Sequence, residues 1–120
     1  MRINLDNIIF ELQRAGGISN YWFELVKRFV CSEHDVTFIE QDRDIRNIFR
    51  KQMDINFSKI VYQKILPTSI SRYLPVSLNM DAPSIFHTSY FRVCNNPKAV
   101  NVVTVYDSIY ELLGSGLSQK

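Results

Sequence analysis

Gly16 and Gly17 stand in the run Gln13-Arg14-Ala15-Gly16-Gly17-Ile18-Ser19, between an apolar N-terminal segment and a strongly amphipathic one. Glycine has no Cβ, so backbone amides there can close on a ligand. A helix starting directly behind it points free N–H groups and the positive end of its dipole at the same spot. That pairing suits an anion, typically a phosphate. A tight turn uses the same two residues without any ligand. His87 closes the apolar run Ser84-Ile85-Phe86, and Tyr106-Asp107 close the run Asn101-Val102-Val103-Thr104-Val105. Taken by itself, His87 reads as a half-buried histidine bonded to backbone, although histidine can exchange a proton near neutral pH. Asp107 is a polar candidate and an equally good helix cap. His34 lies in a polar turn and is expected to be solvated. No Ser-His-Asp set, metal cluster or P-loop is present.

The elements that must position these residues follow from periodicity. Arg2 to Leu5 predict a first strand, with a loop or short hairpin through Arg14. Ile18, Tyr21, Trp22, Leu25, Val26, Phe29 and Val30 recur at helical spacing and predict one continuous apolar helix face. Glu24 and Arg28 lie four apart on its polar side. Asp35 to Glu40 predict a second strand. Asp44 is expected to cap a short helix that carries Ile45, Ile48, Phe49 and Met53 inward. Residues 54–66 read as helix or strand. Pro67, Pro75 and Pro83 break the chain into loops. Ser84 to His87 and Asn101 to Tyr106 predict two more strands, the last buried on both faces. Ser108 and Glu111 have capping-box spacing for a closing helix.

Strands alternating with helices predict an α/β, Rossmann-like three-layer domain with a mainly parallel sheet. In such a fold ligands bind beyond the carboxyl ends of the strands. Asp6-Asn7 with the glycines, His87 with Thr88, and Tyr106 with Asp107 would therefore meet on one rim.

The bulk numbers fit this. A length of 120 residues suits one domain, expected over 1–113, with 114–120 as a tail. Hydrophobic residues make up 46% and charged residues 22%, which argues against disorder. A net charge of +2 gives no global reason to expect nucleic acid. Cys31 and Cys94 match no metal or redox spacing and read as reduced thiols of a cytoplasmic protein. The N-terminus lacks a signal-peptide layout, and no apolar run is long enough to span a bilayer.

Three segments carry a family resemblance. "INLDNIIFELQRAGGISNYWFELVKRF" resembles the start of the group 1 (family 4) glycosyltransferases, where a first strand leads into a Gly-Gly-Ile-Ser/Thr-aromatic helix. "SIFHTSYFRV" is similar to that family's Asp-hydrophobic-aromatic-His-Ser/Thr-x-Tyr segment, with Ser84 in place of the aspartate. "VVTVYDSIYEL" is similar to its Val-Thr-hydrophobic-His-Asp segment, with Tyr106 where the family has histidine. The resemblance implies one half of a GT-B architecture, the N-terminal acceptor-side domain, with the C-terminal donor domain absent from these residues. It implies retaining transfer of a sugar from a nucleotide-sugar to a polysaccharide or lipid-linked acceptor, with little activity for this half alone. Gly16 and Gly17 would face the donor diphosphate and stabilise charge on the leaving group. His87, Tyr106 and Asp107 would form the catalytic edge. Asn7, Tyr21, Tyr90 and Arg92 would contact the acceptor, although Tyr21 also lies on the helix's apolar face and Tyr90 to Arg92 could simply cover a loop. No metal and no cofactor beyond the nucleotide-sugar is implied. Tyrosine stays neutral at pH 7, so a role needing a cation does not transfer to Tyr106.

Charge adds a separate hint. Residues 43–72 hold seven cations against Asp44 and Asp54. Interleaved with Ile48, Phe49, Phe57 and Ile60, they suit an anionic membrane surface or a solvated face. Two other readings stand beside the transferase. One is a free-standing nucleotide- or phosphate-binding module. The other is a non-catalytic interaction domain that forms a homodimer through an exposed face.

Overall fold

The structure, a computed structural model, describes residues 1–42, 44–63 and 66–106. The elements are β1 (Arg2–Asp6), α1 (Ile9–Leu12), α2 (Gly17–Val30), β2 (Asp35–Glu40), β3 (Ile60–Tyr62), α3 (Thr68–Ser71), β4 (Ser84–Thr88) and β5 (Ala99–Val103). Single 3-10 turns occupy Arg50–Gln52 and Phe57–Lys59. The strands form one sheet in the order β3-β2-β1-β4-β5. Every pairing is parallel. This is an α/β fold of Rossmann type, with β1 at the centre and the strand order reversing between β1 and β4.

Residues in register share a face. Ile3, Val36 and Ile85 point to one side, and Asn4, Thr37 and Phe86 to the other. The first side packs on α2: Ile3, Leu5, Val36 and Phe38 form a core with Trp22 and Val26. The opposite side packs on the long segment after α3, where Ile39 and Phe86 meet Val76, Met80 and Cys94. The sheet is thus the middle of three layers.

The helix predicted from Ile18 begins at Gly17 and buries Trp22 and Val26, while Tyr21 and Val30 remain exposed at its margins. Several expectations are corrected. The stretch before Arg14 is not a hairpin: it turns into α1, closed by Gln13 N to Ile9 O at 3.0 Å. Asp44 caps no helix among the described residues, because the expected helix is only the 3-10 turn at Arg50–Gln52. Asn47 Oδ1 accepts from Phe49 N and Arg50 N at 2.9 and 3.0 Å and folds the chain into that turn. Ile48 points outward. Glu24 pairs with Lys27 at 3.1 Å instead of Arg28. β5 is an edge strand, and Val100, Val102 and Val103 are exposed, the first two on the face that carries α2 and the third on the other. Residues 108–120 and Asp107 lie outside the described residues. Both cysteines are free, Cys31 exposed and Cys94 buried.

Candidate functional site

The carboxyl ends of β1, β4 and β5 meet the N-terminus of α2. Gly16 is the N-cap of that helix, with extended backbone that any residue adopts. The close neighbour there is a side chain. A Cβ at Gly16 would lie 2.6 Å from Gln13 Oε1, the far end of a flexible side chain that would have to shift. That same oxygen accepts from Ser19 N at 3.3 Å, so the Gln13 side chain caps the helix and takes one of its unpaired amides. Gly17 differs: a Cβ there meets nothing within 4 Å, and the residue faces solvent. The open approach to the helix end is therefore at Gly17.

His87 packs edge-on against Trp22, ring centroids 5.0 Å apart, and shares a 2.8 Å hydrogen bond between Nε2 and Thr104 Oγ1. Burial holds its pKa below the ordinary 6.5. The imidazole is neutral at physiological pH and suited to accept a proton. Tyr106 meets Tyr21 edge-to-face at 5.5 Å. Its hydroxyl is buried without a partner among the described residues. Burial first, and the Tyr21 phenol second, push its pKa above the ordinary 10.0. Tyr106 is a neutral donor in search of an acceptor, whereas a histidine there would have brought a titratable nitrogen. Of the residues tied to catalysis and phosphate by resemblance, Gly16, Gly17, His87 and Tyr106 line this rim, and Asp107 lies outside the described residues.

The acceptor candidates divide. Tyr21 is on the rim and exposed, and Tyr90 is half-buried, its hydroxyl accepting from Arg72 Nη2 at 2.8 Å. Asn7 and Arg92 are buried. Asn7 Oδ1 accepts from Trp22 Nε1 at 2.8 Å, and its Nδ2 donates to Glu40 at 3.1 Å. Glu40 is clamped by Arg50 Nε and Nη2 at 2.6 and 3.1 Å. Arg92 embraces Asp6 through Nε at 2.9 Å and Nη2 at 2.5 Å. Thr88 Oγ1 donates to the same carboxylate at 2.9 Å. These polar groups hold the strand ends together behind the rim, so Asn7 and Arg92 act on a ligand at that rim only through what they position.

Sequence reasoning missed Gln13, Glu40 and the Asp6–Arg92 pair. A charged residue ending an apolar strand was a visible signal at Asp6 and Glu40. Their partners lie 86 and 10 residues away, a separation no periodicity encodes. Among the described residues no cluster of three metal-ligating side chains occurs, and no helix is long and apolar enough to cross a membrane. Comparison with protein-family models, curated proteins and solved structures gave no match.

Proposed function

We propose that this chain is the acceptor-side half of a retaining glycosyltransferase of the group 1 (family 4) type, acting in the cytoplasm on a nucleotide-sugar and a polysaccharide or lipid-linked acceptor. One observation carries the reading. The three segments that bear the resemblance are far apart in sequence, yet their chemical residues share one rim of a parallel sheet: Gly17 at the start of α2, His87 at the end of β4 and Tyr106 beyond β5. In that reading the Gly17 end of α2 receives the diphosphate, neutral His87 faces the reacting sugar, and Tyr106 donates to an acceptor or leaving-group oxygen. Donor contacts from a second Rossmann-like domain complete the reaction, because transfer requires both substrates held together.

Titration with UDP or GDP, followed at the backbone amides by NMR, tests the phosphate end. Shifts centred on Gly17 to Ser19 at about millimolar ligand, lost in Gly17→Leu without loss of stability, are the expected result. No shifts, or identical shifts in the variant, would remove the support. Fast sugar transfer by these 120 residues alone would contradict the half-site. A second reading, an interaction domain, draws on the uncovered valines of β5. It predicts concentration-dependent dimers in sedimentation and no nucleotide binding.

A further inference from the structure

A separate cleft of about 420 Å³ opens beyond the carboxyl ends of β2 and β3, on the face away from α2, bounded by α3 and the segment that follows it. Gln41 and Gln63, the residues directly after those strands, line it. One wall is polar and rigid. Arg92, Gln41 and Ser71 are more than nine-tenths buried. Arg92 is fixed by Asp6, and Ser71 O accepts from its Nη1 at 3.4 Å. Gln41, with its amide turned to satisfy both neighbours, donates to Gln63 O at 3.2 Å and accepts from Arg92 Nη2 at 3.3 Å. A guanidinium has five N–H donors. These partners take four and leave one on Nη1, and Arg92 is among the residues that line the cleft. The other wall is apolar: Leu66, Leu74 and Val76. Leu66 and Leu74 are 40% and 43% exposed, so this wall stands partly in water.

Charge decides the ligand class. Among the described residues lining the cleft, Arg92 alone carries a charge. Asp6 balances it at hydrogen-bond distance. Among these described residues an anion would meet a spent cation backed by a carboxylate, and a cation would meet no acid that lines the cleft. The wall chemistry favours an uncharged molecule with one C–H face and one edge of hydroxyls, in a cavity of small-ligand size. We infer that this cleft binds a neutral pyranose saccharide, its apolar face on Leu66 and Leu74 and its hydroxyls on Arg92 Nη1 and the Gln63 side chain. The site is distinct from the Gly17–His87 rim and stands whether or not that rim takes a nucleotide. Its polar wall is already assembled, so little ordering cost opposes binding.

The test is NMR titration of the 120-residue chain with methyl glucoside, methyl mannoside, methyl galactoside and maltose. Glucuronate, inorganic phosphate and an uncharged blocked tripeptide are the contrasting probes. Saturable shifts at Gln63, Ser71 and Ser77 with at least one neutral sugar are expected, at a Kd of roughly 0.1–10 mM. Leu74→Trp should fill the cleft and weaken that binding at least about tenfold, while Gly17→Leu leaves it unchanged. Leu66→Trp is the second filling variant should Leu74→Trp misfold. Shifts with no sugar, tighter binding of glucuronate, phosphate or the peptide, or full binding by a well-folded filled variant would overturn the inference.

Discussion

At the scale of single residues, the rim is a set of neutral groups held by charged ones behind it. His87 illustrates the cost. Burial depresses its pKa below 6.5, so the folded chain binds this proton less readily than the unfolded chain does. The stability it contributes is complete above that value and is lost as pH falls through and below it. His87→Gln should therefore lose less stability than the parent between about pH 7 and about pH 5, in urea melts followed by Trp22 fluorescence. Parallel curves for the two proteins would show that no proton is linked to folding at His87. The sequence made His87 visible because it ends a short apolar run. It did not reveal that Trp22 would be the surface against it, since an aromatic at helical spacing announces burial and not its neighbour. Gly16 and Gly17 looked alike on the page. The Gln13 side chain separates them, one glycine making room for a cap and the other leaving space open.

At the scale of elements, α2 and the inner strands were legible, because burial of a repeating face dictates their pattern. The stretch from Ile45 to Met53 was not. Its apolar spacing suggests a helix, but Asn47 competes for the backbone. Fully buried, it accepts from Phe49 N and Arg50 N and donates to Gln13 O at 2.8 Å. Short polar side chains that bond nearby amides favour turns over helix interiors. Asn47→Ala should destabilise the chain by about 2 kcal/mol, through orphaned buried backbone groups, with hydrogen exchange accelerated first at Phe49 and Arg50. A change below about 0.5 kcal/mol would show that water replaces these bonds. β5 was misjudged for a related reason. Its β-branched composition suits a strand covered on both faces, and composition says nothing of whether a helix lies above it.

At the scale of the whole molecule, the basic stretch 43–72 is not one surface. Arg50 belongs to buried Glu40, and Arg72 stacks on Tyr73 and Tyr90. Arg46, Lys51 and Lys59 remain exposed, as do Ile48 and Phe57. Should the chain meet an anionic membrane, Arg46→Glu with Lys51→Glu should weaken binding to phosphatidylserine vesicles in co-sedimentation by at least about thirtyfold, at roughly 1 kcal/mol per lost cation and more for reversal. Equal binding by both proteins would exclude this patch. The parallel order itself reaches further. β1 is made first, yet it lies between β2 and β4, and the groups that satisfy Asp6 arrive 82 and 86 residues later as Thr88 and Arg92. During synthesis the ribosome must release nearly the whole domain before the central strand has both neighbours. Until then the growing chain carries an open apolar edge and an unmatched carboxylate, so assembly waits on β4 and Arg92, a late, long-range closure of the kind that slows folding.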